Sequence, residues 1–255
     1  MQHQPQAGVF KKRENMKNTL LIATFTLASL VSLAQDGKVI NDNHAQKRSA
    51  QGFHGVYISS GIDLYLSQGS EEAVAVSADD PEIREKIQVE VKDGILQIYI
   101  DNHGFHWGTW GNRHMKAYVS IKTIDQLHAS GGSDVYIQDP IHSEQLKMNL
   151  SGGSDLHGKL NIGELTIHQS GGSDSYVSGT ATTLDINTSG GSDYHGYDLV
   201  ADNCKVDASG GSDAYLTVNK ELTASASGGS DVHYKGNGVV RSSQASGSGS
   251  ISHRD

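Results

Sequence analysis

The chain writes Ser-Gly-Gly-Ser-Asp six times between Ser130 and Asp231, and a seventh, altered copy closes at Ser250. The aspartates are Asp134, Asp155, Asp174, Asp193, Asp213 and Asp231, and successive slots lie 21, 19, 19, 20, 18 and 19 residues apart. A period that steady belongs to one supersecondary unit stacked on itself, because such a unit buries its apolar face only against the next copy.

The residues around the motif give the unit its shape. Five positions before the opening Ser stand Leu146, Leu165, Leu184, Cys204 and Leu222, and three before it stand Leu127, Met148, Ile167, Ile186, Val206 and Ala224. Polar residues such as Lys147, Thr166 and Asp185 separate the two columns. That is a period-two strand with one buried face. After the Asp a second alternation begins, as in Val135 and Ile137 or Ala214 and Leu216. The Gly-Gly pair between them supplies backbone angles that a side chain forbids, and so marks a corner.

About 19 residues hold two or three short strands and their corners, which is one coil rising by one strand spacing of roughly 4.8 Å. A propeller blade needs about 40 residues. A hairpin array would place Asn-Gly or Asp-Gly between strands, whereas here Gly-Gly precedes the Asp. The expected fold is therefore all-β: a single-stranded parallel β-helix, or β-solenoid, with ~19-residue coils. Parallel crossovers favour the right-handed form.

Residues before Asp134 vary the same theme. Ile58 to Leu66 is a degenerate copy, Ala73 to Ser77, Ile87 to Lys92, Ile95 to Ile100 and Met115 to Ile121 read as strands, and Pro81 to Lys86 suits one helical turn. The expected organisation is a signal peptide at 1–34 with an extension at 1–15, a flexible lead-in at 35–51, degenerate coils at 52–122 and the repeat solenoid at 123–255. The signal peptide is read from Lys17, the apolar run Leu20 to Val31, and the small-x-small site Ser32-Leu33-Ala34. That run is too short to anchor a mature chain across a bilayer. The protein is expected to be exported, to the periplasm, the outer cell surface or the extracellular space.

Composition narrows the function. A net charge of -9 without any run of Lys and Arg argues against nucleic acid and anionic membranes. One cysteine, Cys204, permits no internal disulfide and no Cys-based zinc site. Catalytic sites are singular while these features are periodic, and no Gly-x-Ser-x-Gly elbow occurs. A non-enzyme is expected.

Two periodic columns and one loop are candidate sites. Two residues after each Asp stand Tyr136, His157, Tyr176, His195, Tyr215 and His233 in strict alternation. Flat rings stack well along a solenoid face, and the same column could form a ligand-binding stripe. The Asp column is harder to explain, since carboxylates one strand spacing apart repel by roughly 0.9 kcal/mol even in water. Hydrogen bonds from each corner's own Ser hydroxyls and amides would offset this. The other resolution is a Ca²⁺ ladder on Asp134, Asp155, Asp174, Asp193, Asp213 and Asp231, although the nonapeptide motif of Ca²⁺-binding rolls is absent. The favoured expectation is no metal and no cofactor. Trp107 and Trp110, in a His-rich segment from Asn102 to His114, could stack on a sugar, hold a metal, or cover an apolar flank.

The repeated Ser-Gly-Gly-Ser-Asp, the Ser60 to Leu66 stretch Ser-Gly-Ile-Asp-Leu-Tyr-Leu and the signal peptide together resemble the head GIN domain family, the DUF2807 group of adhesin-like envelope proteins in Bacteroidetes-type bacteria. The resemblance spans about residues 52 to 250 and implies a right-handed β-helix at the cell envelope. It supplies no catalytic residues, and this chain has no lipid-anchor Cys. The resulting expectation is an exported, non-enzymatic β-helical protein that binds a glycan or protein partner. The alternatives are a structural envelope protein that self-associates as a homo-oligomer, and a carbohydrate-active β-helix enzyme.

Overall fold

The computed structural model describes residues 31–32, 39–101 and 114–255. Strands β1 (Val31–Ser32) and β2 (Val39–Ile40) form a separate antiparallel pair. The remaining strands join one 17-stranded sheet, wound as a parallel β-solenoid.

Its regular part is made of β12 (Ile141–Ser151), β13 (Leu156–Ser170), β14 (Ser175–Gly190), β15 (Tyr194–Gly210) and β16 (Ala214–Ala226). Each pairs in parallel with the next, and Leu146, Leu165, Leu184, Cys204 and Leu222 lie in one file. The expected two or three short strands per coil are one long bent strand instead. In β13 the inward residues are Leu156, Leu160 and Ile162, then Leu165, Ile167 and Gln169. Parity changes at Gly163–Glu164, where two neighbours both face outward and the chain turns while its ladder continues.

The motif makes the sharper corner. Gly152 and Gly153 adopt φ of 68° and 75°, and a Cβ on Gly152 would stand 3.1 Å from the Gly131 nitrogen. Identical corners therefore stack backbone on backbone. One apolar core runs from Phe53 to Val232 through every coil. Tyr194 fills it in the coil whose neighbours at that slot are Ser175 and Ala214, and a Cβ on Gly196 would sit 2.2 Å from its ring.

The N-terminal end is built out of sequence order. Strands β4 (Gly55–Ile58) and β5 (Ile62–Gln68) lie between β10 (Gln126–Ala129) and β11 (Val135–Ile137) on one side and β8 (Ile95–Ile100) and β9 (Met115–Ile121) on the other. The chain enters at the second coil, leaves, returns as the first, and passes on to the third. In leaving it forms β6 (Ala73–Ala78) and β7 (Ile87–Lys92), which pair antiparallel with β9 and β8. Between them lies helix α1 (Pro81–Arg84), capped by Asp80 Oδ1 accepting the Glu82 amide. Residues 46–48, expected within a flexible lead-in, instead form β3 (Gln46–Arg48), antiparallel to β6. Beside them Ala45 is buried.

At the other end β17 (Asp231–Lys235), β18 (Val239–Ala245) and β19 (Ser250–His253) complete the last coil. Here β18 pairs with β16 and β19 with β17, and no strand among the described residues covers their far edges.

Candidate functional site

The Ser-Asp step of each corner builds two files of opposite polarity. The second Ser points inward, and Ser133, Ser154, Ser173, Ser192, Ser212 and Ser230 are fully buried. Each hydroxyl accepts an amide from the preceding coil: Ile62 N–H donates to Ser133 Oγ at 3.0 Å, Ser133 to Ser154 at 3.0 Å, and Ser154 to Ser173 at 3.1 Å. The Asp, next in sequence, points outward and accepts from the following coil. Asp155 N–H donates to Asp134 Oδ1 at 3.0 Å, and the pattern repeats at 3.0, 2.9, 2.9 and 3.1 Å through Asp174, Asp193, Asp213 and Asp231.

The expected offset to carboxylate repulsion thus exists, but it comes from the next coil's amide rather than from the corner's own hydroxyls. Those hydroxyls serve the inner file. A carboxylate that accepts a backbone N–H is stabilised in its charged form. The file also extends further than the motif. Asp63 precedes Asp134 and accepts its amide, Lys116 pairs with Asp63 in register, and at the far end the Ser250 hydroxyl donates to Asp231 Oδ1 at 2.6 Å. A cation opens the row and a hydroxyl ends it.

Two residues along, the Tyr and His side chains do stack. Centroid separations are 5.5 Å for Tyr136–His157, 4.8 Å for His157–Tyr176, 4.5 Å for Tyr176–His195 and 5.3 Å for His195–Tyr215, with planes within 10°. His233 follows, tilted by 36°. Tyr65 and Tyr118 extend the stack at 5.2 Å per step, making eight rings in one column. Tyr65 was legible, standing two residues after Asp63 as the motif requires. Tyr118 follows Lys116 and carries no such signal.

Stacking changes what the stripe can do. Ring faces are spent on neighbouring rings, each contact contributing about 0.5–1.5 kcal/mol beyond burial. What reaches solvent is a row of edges, phenol hydroxyls alternating with imidazole nitrogens, beside a row of carboxylates. Burial, and then the nearby Asp charges, push the Tyr136, Tyr176 and Tyr215 phenols above their ordinary value, so they remain donors. The Tyr215 hydroxyl donates to Asp213 Oδ2 at 3.4 Å. The face is polar and hydrogen-bonding.

Beside the stripe runs an open groove of about 620 Å³, lined in part by Tyr176, Val177, His195, Tyr197, Asp198 and Tyr215. A smaller polar concavity of about 300 Å³ lies at the N-terminal end of the stack, where the Tyr118 hydroxyl donates to Asp42 Oδ2 at 2.7 Å. Trp107 and Trp110 lie outside the described residues. Among the described residues no three His, Cys, Asp or Glu side chains converge on a metal-sized point, and no helix is long and apolar enough to cross a membrane.

Comparison with known proteins gives consistent results. The family model described as "Putative auto-transporter adhesin, head GIN domain" matches residues 52–238. A putative adhesin from Bacteroides fragilis superposes with a TM-score of 0.72 at 20% identity, covering 82% of this chain and 96% of that one. A putative adhesin from Parabacteroides merdae gives 0.64 at 17% identity, covering 83% and 95%. A putative lipid binding protein from Parabacteroides distasonis gives 0.60 at 18% identity, covering 83% and 96%. No curated protein matches by sequence.

Proposed function

Because the chain belongs to the head GIN domain family of adhesin-like proteins, we propose that it is an exported, non-enzymatic β-solenoid that binds a partner at the cell envelope through its outward stripe. The observation that carries this is the register of the stripe. Six of the eight rings, Tyr65, Tyr136, His157, Tyr176, His195 and Tyr215, and their flanking carboxylates present one polar edge along the rod, a periodic surface suited to an extended partner, while His233 is buried and the Tyr118 hydroxyl is spent on Asp42. The lipid binding ascribed to the Parabacteroides distasonis neighbour calls for an apolar seat. Among the described residues the exposed large apolar side chains, Val91, Tyr176, Val239 and Val240, fall at three separate places.

The test follows from the stacking. Changing Tyr136, Tyr176 and Tyr215 together to Phe keeps the rings and removes only their hydroxyls. Binding to cell-surface material should fall while the circular dichroism spectrum stays the same. Full binding by the triple variant would remove the stripe from the mechanism. The same reading leaves the Asp file without metal, since Oδ1 of Asp134, Asp155, Asp174, Asp193 and Asp213 already accepts an amide and that of Asp231 a hydroxyl. A melting temperature that climbs by many degrees with calcium and drops with a chelator would overturn that part.

A second reading, self-association, is favoured by the uncovered edges of β18 and β19. Sedimentation that stays monomeric at high concentration would count against it.

A further inference from the structure

Strand β15 breaks the register of its neighbours at one point beside the stripe. Against β14, the pair Gly196–Tyr197 stands opposite Val177 alone. Against β16, Gly196 pairs with Leu216 and Val200 with Thr217, which leaves Tyr197, Asp198 and Leu199 without partners in the ladder. A bulge of this kind bends its strand and re-aims a side chain. Tyr197 accordingly leaves the parallel stack and meets Tyr215 edge-on, at 5.5 Å and 70°, with the Lys235 ammonium 4.4 Å from its ring centroid. The groove opens between Tyr197 and the stripe.

Its apolar element is the partly exposed Tyr197 ring; Val177 beneath is only 3% exposed, and the Ile137 side chain packs over Gly158, where a Cβ would meet it at 2.5 Å. Its rim is polar: the His195 imidazole, the Tyr176 and Tyr215 phenols, the Ser178 hydroxyl and the Asp198 carboxylate. Asp198 is exposed, and no ion pair or side-chain hydrogen bond among the described residues engages it.

We propose that this groove is a sugar subsite, seating one pyranose unit of a neutral glycan. The ring's C–H face would lie on the Tyr197 ring, and its hydroxyls would donate to Asp198 and bond with His195 and the phenols. A pyranose combines one apolar face with a rim of hydroxyls, which is the pattern of the groove. A carboxylate is a strong, charge-assisted acceptor for such hydroxyls. An acidic glycan is disfavoured by Asp198 together with Asp193 and Asp213 along the stripe. An extended peptide has no free strand edge to join, since β14 and β16 flank β15 on both sides.

The proposal rests on the binding reading above and narrows it to a ligand class and a place. The experiment is a panel of immobilised neutral oligosaccharides, followed by titration of the tightest binder with the wild type, Asp198→Asn and Tyr197→Ala. Asp198→Asn alters one exposed side chain and leaves the fold alone. Each variant should weaken binding by about tenfold or more, the worth of one charge-assisted hydrogen bond or one aromatic contact. Unchanged affinity in Asp198→Asn would overturn the groove while sparing the stripe. A wild type that binds cells or a protein but none of the oligosaccharides would overturn the sugar assignment and leave the adhesin-like reading standing.

Discussion

The two ends of the rod solve the same problem in opposite ways. At the N-terminal end the free edges of β8 and β9 are covered by antiparallel β7 and β6, and β6 in turn by β3. The outermost strands there are short or charged: β3 reads Gln-Lys-Arg, and β7 carries Glu90 and Lys92. Helix α1 packs nearby, and Arg48 of β3 donates to the Arg84 carbonyl at 3.1 Å. At the C-terminal end β18 reads Val-Val-Arg-Ser-Ser-Gln-Ala, with Val239 55% and Val240 37% exposed. Proteins blunt sheet edges with charge, brevity or cover, and among the described residues further strands cover the edges at one end alone. A repeat whose coils are nearly alike thus gains direction from its ends.

Hydrogen exchange should show the largest contrast. Amides of β8, flanked by β4 and β7, open only with much of the molecule, whereas β18 has a partner on one side. Protection free energies in one protein span from about zero to the global stability, so rates at Ile98 and Val240 should differ by several orders of magnitude. Equal protection at the two places would mean that another segment or another molecule covers the open end.

Core truncations sharpen the same comparison. Ile98 is fully buried beneath the cap, so Ile98→Ala should cost about 2–5 kcal/mol in chemical denaturation. Val240→Ala removes a side chain already partly in water and should cost about 1 kcal/mol or less. Comparable losses would show that the last coil packs as tightly as the first.

How much of this was readable beforehand depends on whether a residue's slot recurs. The Asp and Tyr/His files were legible because the same slot returns every coil, and Tyr65 could have been added by counting two from Asp63. The inward turn of the second Ser was harder, since a hydroxyl suits either face and only the parity of the strand decides. The out-of-order N-terminal coils were hidden because antiparallel β6 and β7 carry the same alternation as strands that wind. Lys116 and Tyr118 occupy the Asp and Tyr slots with no motif to announce them. The bulge at Tyr197 left one trace, the 20-residue step between Asp193 and Asp213, which a period of 19 absorbs without comment.

The inner Ser file allows a comparison with less packing in it. Ser133 Oγ accepts the Ile62 amide at 3.0 Å near the covered end, and Ser230 Oγ accepts the Ser212 amide at 3.3 Å near the open one. Either change to Ala strands a buried N–H, which costs about 1–3 kcal/mol. Ser133→Ala should sit at the upper part of that range and Ser230→Ala at the lower, because water can reach an amide close to an uncovered coil. Denaturant midpoints would measure both, and a larger loss at Ser230 would reverse the ranking of the ends.

The smallest expected effect concerns the head of the carboxylate file. Burial, followed by the charge of Asp134, raises the Asp63 carboxyl above its ordinary value of 3.8, against the opposing pull of the Asp134 amide, Lys116 and His114. A raised value means that the fold disfavours the charged form. Below about pH 3.8 the group is protonated folded or unfolded and costs nothing. As pH rises through the folded value, the native state must carry a charge it holds less readily than the unfolded chain does, and stability is lost. Asp63→Asn keeps an oxygen to accept the Asp134 amide and removes that charge. The variant should melt slightly higher than the wild type at neutral pH, with the gap closing on acidification. A variant that melts lower at neutral pH would mean that Lys116 holds the Asp63 carboxylate more strongly than burial and Asp134 oppose it, so that the covered end owes part of its tightness to that pair.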